Sequence, residues 1–393
     1  MRTPLAWKNL TTSWRHCGLA ATGVGFAVVL MFMQIGFRNA LIDNNLQLLT
    51  LFEPRVAQLM MVSRARYNLA PEQRFPRHLL EQAAAIPGVV AVSGVSLERG
   101  TAKVLVEGHV PRPLRVIGVD LQTPQFFRDA EVWRKLQAAD ARGAGLVDTR
   151  SKSLYGFAPR LSELRRQHIE LNGRHLPIDE QFELGTDFAN DGTLLLSQSR
   201  LAEYFPWRNS RGRPDEVLDL GLIATQLASS QSLVELAARL EQLAPEVIEV
   251  RPSSYFVRRE KQFWANNTPI GKIFLIGTLM GLVVGAIICY QIQFTDISEH
   301  MAEFATLKAM GYGTGYFWSL IAWQSFYLAC LGFLPGILVA QVLYALLAHT
   351  SGLVMSMSWD RIALVWGLTL VMCAASGIIA IRKLFRTDPA SLF

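Results

Sequence analysis

Charged side chains are scarce in this chain. Asp, Glu, Lys and Arg supply 18% of its 393 residues, against about 25% in a soluble globular domain. A wholly soluble protein is thereby excluded, and the mean hydropathy of +0.23 agrees. Cysteine is scarcer still. Cys17, Cys289, Cys330 and Cys373 lie in or beside apolar runs and the middle of the chain has none. A disulfide framework and CxxC metal spacing are both missing, so these four read as small packing residues. The seven histidines are scattered without pairing.

Other absences bear on catalysis. There is no GxxxxGK[ST]; the one Gly-Lys pair, Gly271-Lys272, is followed by Ile273 and lies at the mouth of an apolar run. GxSxG is missing as well, so no nucleophile elbow is expected. Glu299, His300 and Glu303 lack the second histidine that a metal or acid–base site would need, and they read as a charged helix face. No catalytic, cofactor-binding or metal-binding residues are assigned, and any hydrolysis of ATP, with its Mg, belongs to a separate subunit. Lys and Arg exceed Asp and Glu, 38 to 32, but they are scattered without interleaved aromatics, which argues against nucleic acid as a partner.

Long apolar runs are what the chain does have. Four satisfy the roughly 20 residues needed to cross a bilayer: residues 17–37, 270–294, 316–347 and 361–381. The third contains Gly332, Pro335 and Gly336, where a kink or an overlong helix is expected. Arg2, Lys8 and Arg15 precede the first run, and Arg382, Lys383 and Arg386 follow the last. The positive-inside rule puts both ends in the cytoplasm. Residues 295–315 then lie inside, while 38–269 and 348–360 lie outside. The first run reads as an uncleaved anchor, because no small-x-small cleavage site follows it. Residues 1–16 read as a short helix lying on the cytoplasmic membrane surface or as a frayed terminus, and 382–393 as a cytoplasmic tail.

Residues 62–253 read as an α+β domain outside the membrane. Residues 76–85 look helical, 89–97, 102–110 and 114–119 strand-like; later come strand 217–225, helix 232–243 and strand 247–250. A helix-strand-strand half and a strand-helix-strand half suggest a split βαβ, porter-like arrangement, with 122–215 as an inserted subdomain. Residues 38–61 and 254–269 read as helical stalks.

Within 295–315, Ile297, Met301, Phe304, Leu307 and Met310 recur at helical spacing, and Glu299, His300, Glu303 and Lys308 lie mostly off that stripe. Such a helix either lies in the lipid interface or fills a groove on a cytoplasmic partner. Gly311, Gly313 and Gly315 after it permit a sharp change of direction. In the second run Gly277, Gly281 and Gly285 form a four-residue ladder suited to close helix packing, within one chain or at a homodimer seam.

Four spans, the position of the domain and the stretch Glu303-Phe-Ala-Thr-Leu-Lys-Ala-Met-Gly311 resemble ABC transporter permeases of the FtsX/MacB type. The ending Arg386-Thr-Asp-Pro-Ala-Ser-Leu-Phe393 is similar to the family's. Pro4-Leu-Ala-Trp-Lys-Asn-Leu10, Leu30-Met-Phe-Met-Gln-Ile-Gly-Phe37 and Leu331-Gly-Phe-Leu-Pro-Gly336 look most like the DevC subfamily. The resemblance implies a fold of four transmembrane helices plus a MacB-like domain outside, in a cell inner-membrane homodimer. It implies an ATPase subunit (DevA-like) bound at Glu299 to Gly311, a periplasmic membrane-fusion adaptor (DevB-like), and a TolC-like outer-membrane duct. Export of a glycolipid or another amphiphile would be driven by ATP bound elsewhere. An FtsX-like regulator of a cell-wall hydrolase and a lipoprotein-extracting permease share the same four-span plan.

Overall fold

The computed structural model describes residues 14–386, apart from 70, 188–189, 209–216, 227–228, 352–354 and 356. The expected surface helix at the N-terminus and the Asp-Pro-Ala ending therefore lie outside the described residues. Two compact units emerge, one of residues 1–40, 268–348 and 355–393, the other of residues 41–267 and 349–354.

The first helix, α1 (Trp14–Asn45), runs eight residues beyond the apolar stretch read from the sequence. A single helical turn at Gln47–Thr50 follows. The α+β unit then opens with β1 (Leu59–Ser63), β2 (Phe75–Pro76), α2 (Arg77–Ala84) and β3 (Val89–Glu98). Next come β4 (Lys103–Val106), β5 (Arg112–Pro113), β6 (Arg115–Val119), α3 (Ala130–Asp140) and β7 (Gly145–Asp148). Then follow β8 (Ile169–Leu171), β9 (Arg174–His175), β10 (Ile178–Phe182) and β11 (Thr193–Ser197), which runs straight into α4 (Gln198–Tyr204). The unit closes with β12 (Val217–Leu218), β13 (Leu220–Thr225), α5 (Ser230–Glu241), β14 (Ile248–Pro252) and α6 (Ser253–Gln262).

Eight strands form one sheet in the order β10-β7-β11-β6-β3-β13-β1-β14. Its last four strands pair antiparallel throughout. With α2 joining β1 to β3 and α5 joining β13 to β14, they make a complete split βαβ unit. Leu79, Leu80 and Ala83 of α2 and Leu236 and Leu240 of α5 share one core with Leu59, Met61, Ile223 and Val250. Fully burying each such aliphatic side chain contributes about 1.5–3 kcal/mol. A second sheet, β5-β4-β8-β9, shares another core with β6, β7, β11 and Leu201 of α4.

Three expectations are corrected. The stretch 38–61 is not helical throughout, because Leu59–Met61 belong to β1 between β13 and β14. All five β1 residues are buried, so the strand reads as an unbroken apolar run without the period of two that marks a half-exposed strand. Residues 102–110 do not continue the main sheet: only Lys103–Val106 form a strand, and it joins the second sheet. Residues 122–215 are not a self-contained insertion either. β7, β10 and β11 extend the main sheet through the parallel pair β6–β11.

The remaining helices are α7 (Pro269–Glu299), α8 (Met301–Ala309), α9 (Thr314–Ser351) and α10 (Trp359–Arg386). Thr268 caps α7, its hydroxyl accepting from the Gly271 amide at 3.1 Å, and Pro269 supplies a fixed φ at the first helical position. Among the described residues, α1, α7, α9 and α10 are long and apolar enough to cross a membrane.

Small residues set how these helices cross. A Cβ on Gly332 would overlap Val24, one on Gly336 would lie 2.8 Å from Val28, and one on Gly25 would lie 3.2 Å from the Gly332 carbonyl. Backbones of α1 and α9 therefore meet almost directly, the arrangement that drives association in lipid. Gly332 and Gly336 serve that crossing, and α9 is one continuous helix through Pro335. The ladder of α7 is used inside the chain: a Cβ on Gly277 would meet Gln34 at 2.5 Å, one on Gly281 Met31 at 3.6 Å, and one on Gly285 Ala27 at 2.6 Å and also Met372. Within the chain these three glycines pack on α1 and α10.

Candidate functional site

The segment between α7 and α9 is built from two breaks and one anchor. α7 continues through Glu299, so Glu299 is its last residue and lies off the helix it was expected to join. His300 forms the joint, its amide donating to the Asp296 carbonyl at 3.2 Å and its Nδ1 lying 2.9 Å from the same oxygen. α8 follows for nine residues.

The second break is a glycine cap. Gly311 has φ +90°, its amide donates to the Lys308 carbonyl at 3.1 Å, and the Tyr312 amide donates to the Leu307 carbonyl at 3.2 Å. This pair is a Schellman motif with Gly311 at the left-handed position, where a side chain is strained. Of the three glycines read as a turn, Gly311 alone has positive φ.

Phe304 is the anchor. It is 5% exposed and shares a cluster with Ile297 of α7, Phe317, Leu320 and Ile321 of α9, and Ala380 and Ile381 of α10. Its ring meets that of Phe317 edge-on at 6.0 Å. Leu307 packs on the same cluster. The expected apolar stripe thus holds through Leu307 but fails at Met310, which is 64% exposed beside the cap. Glu299, Glu303 and Lys308 all lie on the exposed side, and His300 is half-buried.

Beneath α8 lies a polar ladder that the sequence reading missed. Gln324 of α9 donates to Asp296. One turn deeper, Gln293 donates to the Cys373 carbonyl at 3.0 Å and accepts from the Ser325 hydroxyl at 3.0 Å. A Cβ on Gly377 would lie 2.6 Å from Gln293 Oε1, so that glycine makes room for the amide. Gln293 is 1% exposed. The ladder ties α7, α9 and α10 together directly below the joint at His300. Glutamines in apolar helices gave a signal, but their partners lie 28 to 80 residues away.

The α+β unit holds a second polar assembly. Asp219, at 0% exposure, separates β12 from β13 and accepts from Arg66 at 3.2 Å, Arg208 at 3.1 Å and the Leu97 amide at 2.8 Å. Glu98, equally buried, pairs with Arg208 at 2.7 Å and Arg74 at 2.6 Å. Burial pushes the Arg66 guanidinium below its ordinary value, although Asp219 opposes that. Glu260 of α6 accepts from the Leu69 amide at 2.8 Å and from Trp264 Nε1 at 2.7 Å. Burial raises its pKa against those donors. Among the described residues no group of three or more His, Cys, Asp or Glu is placed to hold a metal ion.

The family described as FtsX-like permease C-terminal matches residues 274–389, which take in nearly all of α7 and the whole of α8, α9 and α10. No curated protein matches the chain. Among solved structures, the periplasmic region of MacB from Actinobacillus actinomycetemcomitans is similar at 11% identity and a TM-score of 0.35, covering 55% of this chain and 95% of that one. The extracellular domain of the ABC-type transporter YknZ from Gram-positive bacteria is similar at 11% identity and a TM-score of 0.32, covering 49% of this chain and 98% of that one. At these scores the two likenesses are loose, and the family match over the membrane helices carries the weight.

Proposed function

We propose that this chain, a multi-pass permease of the FtsX type by its membrane domain, is the non-catalytic subunit of an ABC-type exporter. In this reading α8 is the coupling helix. A separate cytoplasmic ATPase binds ATP and Mg, engages the exposed face carrying Glu303 and Lys308, and shifts α8 as it closes. Phe304 passes that movement to α7, α9 and α10, and the α+β domain on the far side of the membrane responds. The observation that carries the reading is the family match over α7 to α10, joined to the anchoring of α8 by Phe304 with its charges turned outward. Coupling demands contacts that differ between two states, and a short helix jointed at His300 and capped at Gly311 can move as a unit.

In this reading both termini lie in the cytoplasm of an inner-membrane protein, which an even number of apolar helices and the basic flanks support. A homodimer, a periplasmic adaptor and a TolC-like duct complete the proposed route. The DevC-like stretches favour a glycolipid or another amphiphile as cargo.

The test is a charge exchange on α8, Glu303→Lys with Lys308→Glu, two exposed positions that leave the Phe304 cluster intact. We expect unchanged membrane insertion and melting temperature but loss of a co-purifying ATPase from native membranes. Retained ATPase would remove the coupling role from α8. Mass spectrometry of the unaltered chain's partners separates the readings: an adaptor supports export, whereas a cell-wall hydrolase without adaptor makes the chain a regulator.

A further inference from the structure

The α+β unit leads into α7 through a short segment. α6 (Ser253–Gln262) passes into a wider π-turn, Phe263–Asn267, and α7 starts at Pro269. α7 is long and apolar enough to cross a membrane. At 1.5 Å per helical residue, the chain from Phe263 to Pro269 covers about 9 Å. The headgroup layer on each side of the hydrocarbon is about 5–8 Å thick. Chain connectivity alone therefore keeps the end of α6 within reach of that layer.

The surface held there is aromatic and basic. Tyr67, in the loop that follows β1, is 61% exposed although its ring packs against Phe263 at 5.7 Å. On α6, Tyr255, Arg258 and Lys261 recur at three-residue spacing, and all three are exposed. Arg259 lies over the Tyr255 ring at 5.6 Å and the Phe256 ring at 4.8 Å. A tyrosine has an apolar body and a polar tip, so an exposed one is best satisfied where lipid meets water.

The nearby carboxylates are engaged elsewhere. Residues 253–267 contain one acid, Glu260, against Arg258, Arg259 and Lys261. Glu260 is 2% exposed and accepts from the Leu69 amide and Trp264 Nε1. Residues 64–69 contain no acid. Glu249 pairs with Arg259 at 2.6 Å, and Glu241 pairs with Arg64 and Arg251. The stripe of α6 therefore turns positive charge to solvent. Cations beside exposed tyrosines, a few residues from a membrane span, match a negatively charged lipid surface, which attracts the cations and accommodates the rings.

We propose that Tyr67, Tyr255, Arg258 and Lys261 form a docking surface for anionic phospholipid headgroups, in the leaflet on the side of the α+β domain. The two rings sit at the lipid–water boundary and the two cations contact the headgroups, which steadies the junction of α6 and α7 against the bilayer. The inference stands apart from the coupling reading, because it is measured without ATP or any partner and either can fail alone.

The experiment places photoreactive benzoylphenylalanine at Tyr67 in the full chain, held in lipid discs of equal phosphatidylglycerol and phosphatidylcholine. The same group at Ile287, 59% exposed on α7, calibrates labelling by bulk lipid. After irradiation, mass spectrometry counts the lipid adducts. We expect position 287 to label both lipids evenly and position 67 to favour phosphatidylglycerol at least about fivefold, as a single surface cation predicts. Arg258→Gln with Lys261→Gln, both exposed, should make the labelling at 67 even at an unchanged melting temperature. Irradiation in native membranes should again give lipid adducts at 67. Absence of lipid adducts at 67 while 287 gives them, even labelling at 67 in the unaltered stripe, or a preference that survives the double variant would each overturn the assignment. So would an adduct to another protein or a second copy in place of lipid.

Discussion

Glu260 shows how a single buried carboxyl can oppose the fold that surrounds it. Two donors hold it, yet desolvation raises its pKa. The folded state then binds a proton more tightly than the unfolded chain, so this group's contribution is greatest below about pH 4, the ordinary glutamate value. It is lost as pH rises from there through the raised folded value. Glu260→Gln keeps an acceptor for Trp264 and removes the ionisation. Chemical denaturation across pH 4 to 8 should show the unaltered chain losing stability relative to the variant as pH rises. Parallel curves would mean that the site ionises without cost. Asp148 is raised by the same cause, so the comparison must be made between variant and parent, not on the parent alone.

Among the helices, the crossing of α1 and α9 depends on what is missing at Gly25, Gly332 and Gly336. Overpacking such a contact costs about 1–3 kcal/mol, and the obstacle at Gly332 is the branched Val24 together with the α1 backbone. Gly332→Leu should lower the melting temperature in detergent by several degrees, whereas Gly367→Leu, with nothing near its Cβ, should leave it unchanged. Equal effects would show that the crossing is not tightly packed. In α8, Gly311→Val forces a β-branched residue into the left-handed region, at about 1–2 kcal/mol. Fraying of the last turn of α8, followed by hydrogen exchange at Met310 to Tyr312, is the expected sign.

For the molecule as a whole, the α+β domain is clamped by charges that come together from distant parts of the chain. Arg66 and Arg74 lie on either side of β2's approach, Glu98 ends β3, and Arg208 and Asp219 flank the return to β13. Removing one partner leaves an uncompensated buried charge, at about 3–5 kcal/mol. Asp219→Ala should therefore unfold the domain at markedly lower denaturant concentration, and a shift under about 1 kcal/mol would mean that water or rearrangement replaces the carboxylate.

The sequence by itself determined what depends on local composition and period. Four apolar runs are long enough to span lipid, and α2, β3, α5 and β14 follow from their periodicity to within a few residues. The Glu303 to Gly311 stretch is legible because an amphipathic stripe and a glycine stop are both local signals. Only the tertiary structure decided the rest. β1 hides as an apolar run because a central strand is buried on both faces. The glycine ladder of α7 could not reveal whether its neighbour was another helix of this chain or a second copy, since small residues permit close approach without choosing the partner. The Asp219 cluster and the Gln293 ladder join residues tens to more than a hundred positions apart. No pattern along the chain announces such sites, because a buried charge or amide is stabilised by partners that only the folded backbone brings within hydrogen-bond reach.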